Sequence, residues 1–275
     1  MFEEIYFERQ NVEEYTQARE RRLSFFGAKN FRDLGGYQTI NERTIYWGRL
    51  YRSDSLHKLT SADLKRLTFL SLDRIIDFRA DHEIAQETDR LPTDAEIRVV
   101  RIPILDSSTE IWRDSREQFI KDNLRNVDPV HYMIQTNMEL ATRFTPQMQI
   151  FIQEVLLANG RPLLFHCAAG KDRTGFAAAM ILRMLGVPQQ MVMEDYLLSN
   201  QYYLSAHKWD LAFLQLMKGK HFASVVKGFL EVRPAYLAAA FETIDYKYGS
   251  FENYVRNGLG LAQKDVEHLK MLYLE

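Results

Sequence analysis

The chain has 275 residues, of which 46% are hydrophobic and 26% charged, the proportions of a water-soluble protein able to bury a substantial core. A net charge of −2 offers no electrostatic footprint for nucleic acid, and a single cysteine, Cys167, excludes an internal disulfide and suits a reducing compartment. The acidic N-terminal stretch lacks the basic-then-apolar pattern of a secretory signal, and the longest apolar runs, 176–182 and 235–241, are too short to span a bilayer. The expected compartment is the cytosol, with secretion lacking a signal peptide left open, and peripheral contact with a membrane remains compatible.

Taken in chain order, NFRDLGGYQT (30–39) and NERTIYWGRLYRS (41–53) read as a hairpin broken at Asn41 and Glu42. LTSADLKRLTFL (59–70) carries Thr60 and Asp63 at capping-box spacing and predicts a helix. RIIDFRA (74–80) and RVVRIPI (98–104) are short β-branched runs and predict strands. Residues 107–145 mix apolar and charged side chains at helical spacing, with Pro129 expected to interrupt them. TPQMQIFIQEVLLANG (145–160) predicts a helix with Thr145 as its N-cap. RPLLFHC (161–167) predicts a buried strand, and TGFAAAMILRMLG (174–186) a helix stopped by Gly186. From Leu198 onward the pattern is almost wholly helical, including a basic, aromatic stretch at 208–230.

The alternation between 73 and 186 predicts an α/β fold with a central, mainly parallel sheet flanked by helices, followed by an all-helical C-terminal part. With no linker or repeat, residues 1–275 read as one domain with helical insertions at 107–145 and 200–232. The 208–230 stretch has three readings: core plus solvated face, a lid over a site, or a surface for anionic membranes.

The chemistry concentrates in HCAAGKDR (166–173), between the last strand and its helix. A helix N-terminus presents free amides and the positive end of its dipole, and Gly170 lets the backbone curl into an anion nest. Ala168, Ala169, Gly170 and Lys171 would then line a phosphate cradle with Cys167 at its floor. A helix N-terminus with nearby cations lowers a cysteine pKa from about 8.5 to roughly 3.5–7.5, so a thiolate nucleophile is expected. Arg173 offers a planar fork for two non-bridging oxygens, and the Thr174 hydroxyl could hydrogen-bond the sulfur as leaving group. His166 neighbours Cys167 on a strand and points to the opposite face, so it is expected to brace the loop backbone rather than act as base. The histidines have no metal-ligand spacing, and neither a metal nor a cofactor is called for.

HCAAGKDRTG resembles the phosphate-binding loop of the protein tyrosine phosphatase superfamily, and within it a bacterial and fungal branch. NFRDLGG (30–36), YRS (51–53) with Leu56, IDFR (76–79), DYLLSN (195–200) and stretches within 233–261 resemble other segments of that branch. The resemblance covers about residues 25–275 and is weakest in 107–145 and 205–230. It implies a cysteine-phosphatase fold and a metal-independent phosphatase working through a phosphocysteine. The implied substrates are phosphotyrosine in proteins, with phosphoserine, phosphothreonine or phosphoinositides as further classes.

The chain lacks a Trp-Pro-Asp loop, and the resemblance makes Asp172 the first candidate for general acid. Asp172 could instead pair with a neighbouring arginine; Asp106, after the 98–104 strand, is the second candidate, and Asp77 is read as a buttress. Lys171 could recognise extra phosphates on a ring or tune the cysteine, and Arg32 could brace the loop or touch substrate. Three other readings compete: phosphoinositide hydrolysis as the main activity, a catalytically weak phosphate-binding module, or a thiol-based sulfur-transfer or arsenate-reducing enzyme. The missing second cysteine weighs against the last.

Overall fold

A computed structural model describes residues 20–107 and 127–275. The chain folds around a five-stranded sheet in the order β1-β2-β5-β3-β4, comprising β1 (Arg32–Asp33), β2 (Leu50–Ser53), β3 (Arg74–Asp77), β4 (Arg98–Arg101) and β5 (Leu163–His166). Only the β1–β2 pair is antiparallel. Because strand side chains alternate, the sheet divides its apolar residues between two cores. Leu50, Ile76, Leu163 and Phe165 enter the larger core, while Tyr51, Ile75 and Leu164 enter the smaller. The edge strand β4 has an arginine at each end, a device against edge-to-edge pairing.

Helix α1 (Ser61–Phe69) starts at the expected capping box, with Thr60 Oγ1 accepting from the Asp63 amide and Asp63 Oδ2 from the Thr60 amide. It covers the smaller core through Leu67. Helix α2 (Asp81–Gln86) follows β3 and was not foreseen. Helix α3 (Pro129–Leu140) corrects one expectation: Pro129 opens the helix instead of breaking it, because the first position needs no N–H, and Asp128 caps the Val130 amide. Helix α4 (Thr145–Leu157) corrects another, since its N-cap is Phe144 and Thr145 lies one residue inside. The Thr145 hydroxyl donates back to the Thr142 carbonyl at 2.9 Å, and no side chain caps this helix. The rest of the 107–145 insertion, residues 108–126, lies outside the described residues.

Helix α5 (Arg173–Met184) leaves the end of β5 through a six-residue loop, and nearly all of it is buried. The all-helical remainder contains α6 (Gln189–Ser199), a π-helical turn at Asn200–Leu204, α7 (Lys208–Lys218), α8 (Lys220–Leu230), α9 (Pro234–Tyr248), α10 (Phe251–Asn253) and α11 (Gln263–Tyr273). Asn200 ties the base of the 200–232 segment, donating to the Val232 carbonyl and accepting from its amide, each at 2.8 Å. The hairpin of strands β1 and β2 is present but short, turning at 40–42 where Glu42 has φ +61°. Among the described residues, no helix is long and apolar enough to cross a membrane.

Candidate active site

The loop between β5 and α5 is held from outside by its carbonyls. The Ala168 carbonyl accepts from the Ser55 amide at 3.0 Å, and Asn30 Nδ2 donates to the carbonyls of Ala169 and Gly170, both at 3.0 Å. Arg52 Nη2 also donates to the Gly170 carbonyl, at 2.8 Å. In a trans peptide the N–H of the next residue points opposite the carbonyl, and no described peptide bond is cis. The amides of Ala169, Gly170 and Lys171 are therefore turned to the inner side, and the Gly170 amide donates to Cys167 Sγ at 3.3 Å. Gly170 is required here, because its φ is +67° and a Cβ would lie 2.4 Å from the Ser53 carbonyl oxygen.

Cys167 is buried at the base of this curl, as its sequence position suggested. Thr174 is not the partner of the sulfur: its hydroxyl is fully buried, and no hydrogen bond forms to it among the described residues. The donor is the Gly170 amide, which the loop brings over the thiol while Thr174 is carried into the first turn of α5.

Arg173 is fixed by a residue that the sequence reading missed. Its Nη1 and Nη2 donate to the two oxygens of Glu83 at 2.7 and 2.8 Å, a bidentate pair. Its Nε lies 3.7 Å from Asp106 Oδ2. Burial raises the Glu83 carboxyl, but its bonds to Arg173 outweigh this and hold it below the ordinary range. The available signal was the acidic pair Asp81 and Glu83 directly after the IDFR strand, which favours a helix start.

Asp172 pairs with Lys171 Nζ, not with an arginine, and its Oδ1 is buried with no hydrogen-bond partner among the described residues. Burial pushes the Asp172 carboxyl up; Lys171 opposes the shift and the Asp106 charge adds to it. A carboxyl whose pKa is raised keeps its proton to higher pH than an ordinary one.

Behind the loop lie two ion-pair clusters. In the first, Asp195 accepts from Arg32 Nε at 3.0 Å and from Arg52 Nη1 at 2.6 Å. Burial raises Asp195, yet the two guanidiniums win and hold it far below the carboxylate range. Burial, then the neighbouring Arg32, lowers Arg52 to about 10. Arg32 is completely buried and also donates to Asn30 Oδ1 at 2.6 Å, bracing the residue that holds the loop.

In the second cluster, Arg79 binds Asp77 and Asp89 and donates to Ser55 Oγ, next to the amide that holds Ala168. Asp77 is thereby tied to the arginine that holds Ser55. His166 lies with Nδ1 3.3 Å from the Cys167 carbonyl and Nε2 3.2 Å from Asp89 Oδ2. Burial lowers the His166 imidazole, but Asp77 and Asp89 prevail and raise it, favouring an imidazolium under the cysteine. Asp77, Asp89 and His166 are close enough to hold a metal ion, but Arg79 already supplies a cation to both carboxylates.

The comparisons with known proteins agree with this geometry. The sequence model of the tyrosine phosphatase family matches residues 23–275. A Cupriavidus necator protein named, provisionally, as a tyrosine-protein phosphatase is 35% identical over 256 residues, covering 92% of this chain and 88% of its own. The triple specificity protein phosphatase PtpB of Mycobacterium tuberculosis is 30% identical over 273 residues, covering 90% of this chain and 97% of its own. A tyrosine-protein phosphatase of Nostoc commune is 26% identical over 225 residues, covering 80% and 72%. A thiol under inward amides, a pinned arginine and a match along almost the whole chain lead to one conclusion: the protein belongs to the tyrosine phosphatase family and is a phosphoric-monoester hydrolase.

Proposed function

We propose that the protein hydrolyses phosphotyrosine in proteins, and other phosphate monoesters to a lesser degree, through a phosphocysteine. The carrying observation is the fixed curl of carbonyls 168–170, which leaves three amides on the side of Cys167, next to an Arg173 held by Glu83. Cys167 Sγ attacks phosphorus as the thiolate, and the P–O bond to the leaving group breaks. Asp172 gives its proton to the departing oxygen. Water then attacks the phosphocysteine, its proton passes to the Asp172 carboxylate, and the thiolate leaves as inorganic phosphate forms. The amides and Arg173 bind the equatorial oxygens and gain strength as charge accumulates on them.

Lys171 is buried against Asp172, which favours a role in setting the acid over recognition of distant phosphates. Two features support some breadth of substrate: the absence of a Trp-Pro-Asp loop and the triple specificity in the name of one relative. The test is hydrolysis of an aryl phosphate and a phosphotyrosine peptide without added metal, with mass spectrometry of acid-quenched enzyme. Wild type should turn over, be inhibited by vanadate and carry one phosphate on Cys167, whereas Cys167→Ser should do none of the first or last. Turnover by Cys167→Ser at the wild-type rate would sink the proposal.

A further inference from the structure

Helix α7 has an apolar face with no neighbour among the described residues. Trp209, Phe213, Leu216 and Met217 fall at i, i+4, i+7 and i+8 and so share one side of the helix. Their exposures are 75, 65, 81 and 61%, and no residue of α7 is buried. A helix that packs only to stabilise the fold turns such a stripe inward. Here the opposite side faces α8, and α8 in turn rests on α3, with Gly228 against Pro129 and the ring of Phe229 6.4 Å from that of Tyr132. The apolar stripe is thus the outer surface of the arm.

The charge around it is mainly positive. The cleft between α7 and α8 has a volume of about 330 Å³ and is bordered by Lys208, Lys220 and Lys227. Segment 208–230 holds four lysines and one acidic residue, Asp210, for a net +3; the chain as a whole is −2, so the remainder carries −5. A basic, aromatic arm on an otherwise acidic protein is complementary to an anionic surface that is apolar beneath its charge. A bilayer containing acidic phospholipid has that composition.

The arm continues from α6, which carries Asp195 of the cluster behind the loop. The π-helical turn at its base carries Tyr203, whose hydroxyl is raised first by burial and then by the charges of Asp54 and Cys167. The Tyr203 ring lies 4.7 Å from that of His207, the residue preceding α7. From these placements we propose that α7 is a docking helix for anionic bilayers, its apolar stripe entering the interface and the cleft lysines meeting lipid phosphates. The protein would work at a membrane surface. The docking is independent of how the phosphocysteine forms.

The experiment is co-sedimentation of the full chain with vesicles of phosphatidylcholine alone or mixed with phosphatidylserine. Wild type should pellet with the mixed vesicles only and be released by salt. The Trp209→Ser/Phe213→Ser and Lys208→Glu/Lys220→Glu variants should each bind about tenfold or more weakly. Hydrolysis of a soluble aryl phosphate by the first variant should match wild type, which establishes that it is folded. Wild type remaining in the supernatant, or binding untouched by both variants, would overturn the proposal. A Trp209-dependent dimer in sedimentation velocity without vesicle binding would also overturn it, assigning the stripe to a second copy.

Discussion

Replacing Asp195 by asparagine tests whether the cluster behind the loop holds both fold and activity. The carboxylate is 1% exposed and touches two guanidiniums at 2.6 and 3.0 Å. With charge centres about 4 Å apart and an effective dielectric near 20, each attraction is about 4 kcal/mol. Repulsion between the arginines and the cost of burying three charges remove much of that sum, and breaking such a pair costs about 3–5 kcal/mol. Asparagine keeps the shape but leaves Arg32 and Arg52 facing each other without an anion. The midpoint of thermal unfolding should fall by roughly 6–20 °C. The pH dependence supplies a second reading. Asp195 is held far below the carboxylate range in the folded chain and titrates near 3.9 when unfolded. Its contribution is complete above the unfolded value and is lost as pH falls toward the folded one, because there only the unfolded chain binds the proton. The gap between wild type and Asp195→Asn should therefore be full at neutral pH and close progressively below about pH 4. Because Arg52 also holds the Gly170 carbonyl, the rate on an aryl phosphate should fall with stability, even at temperatures where the variant is folded. Circular dichroism melts across pH measure both; a fall under about 2 °C, or a gap constant down to pH 3, would refute the reasoning.

Asp172→Asn should lower kcat about 10²–10⁴-fold for substrates with poor leaving groups and much less for activated aryl phosphates. In wild type the rate should decline as pH rises through the elevated Asp172 value, since the acid must be protonated, and in the variant that limb should be absent; an unchanged profile assigns the acid elsewhere. Glu83→Gln removes one charge of the bidentate pair and should reduce kcat/KM about tenfold with Arg173 still present. A steady-state comparison with equal kcat/KM would show that Arg173 needs no such anchor.

The sheet and the helices that cover it were legible because local patterns and packing agree there. The capping box at Thr60, the buried run before Cys167 and the glycine after α5 each specify one backbone state. Cys167, Gly170 and Arg173 were legible because their chemistry demands a fixed spacing in one loop. What the sequence hid is long-range. Glu83 is 90 residues from Arg173, and Asp195 is 163 from Arg32. Nothing local marks Glu83 as the partner of an arginine in another segment, since any short acidic helix start looks the same. Thr174 misled for the opposite reason: it is near Cys167 in sequence, but the glycine turn interposes a backbone amide.

The paired residues also explain how a chain of net charge −2 can leave a positive charge behind the loop. Arg173 is matched by Glu83 and Lys171 by Asp172, while Arg79 and an imidazolium at His166 are matched by Asp77 and Asp89. Arg32 and Arg52 share the single carboxylate of Asp195, leaving one positive charge in excess within that cluster. That excess lies against the Gly170 carbonyl, directly behind the Lys171 amide, next to the Gly170 amide that meets Cys167 Sγ. Cys167 as an anion in turn favours the charged forms of both Arg52 and Arg173. An anion held in the loop would balance that excess. The net charge of the whole chain does not reveal this, because the local excess depends on which acid each arginine shares.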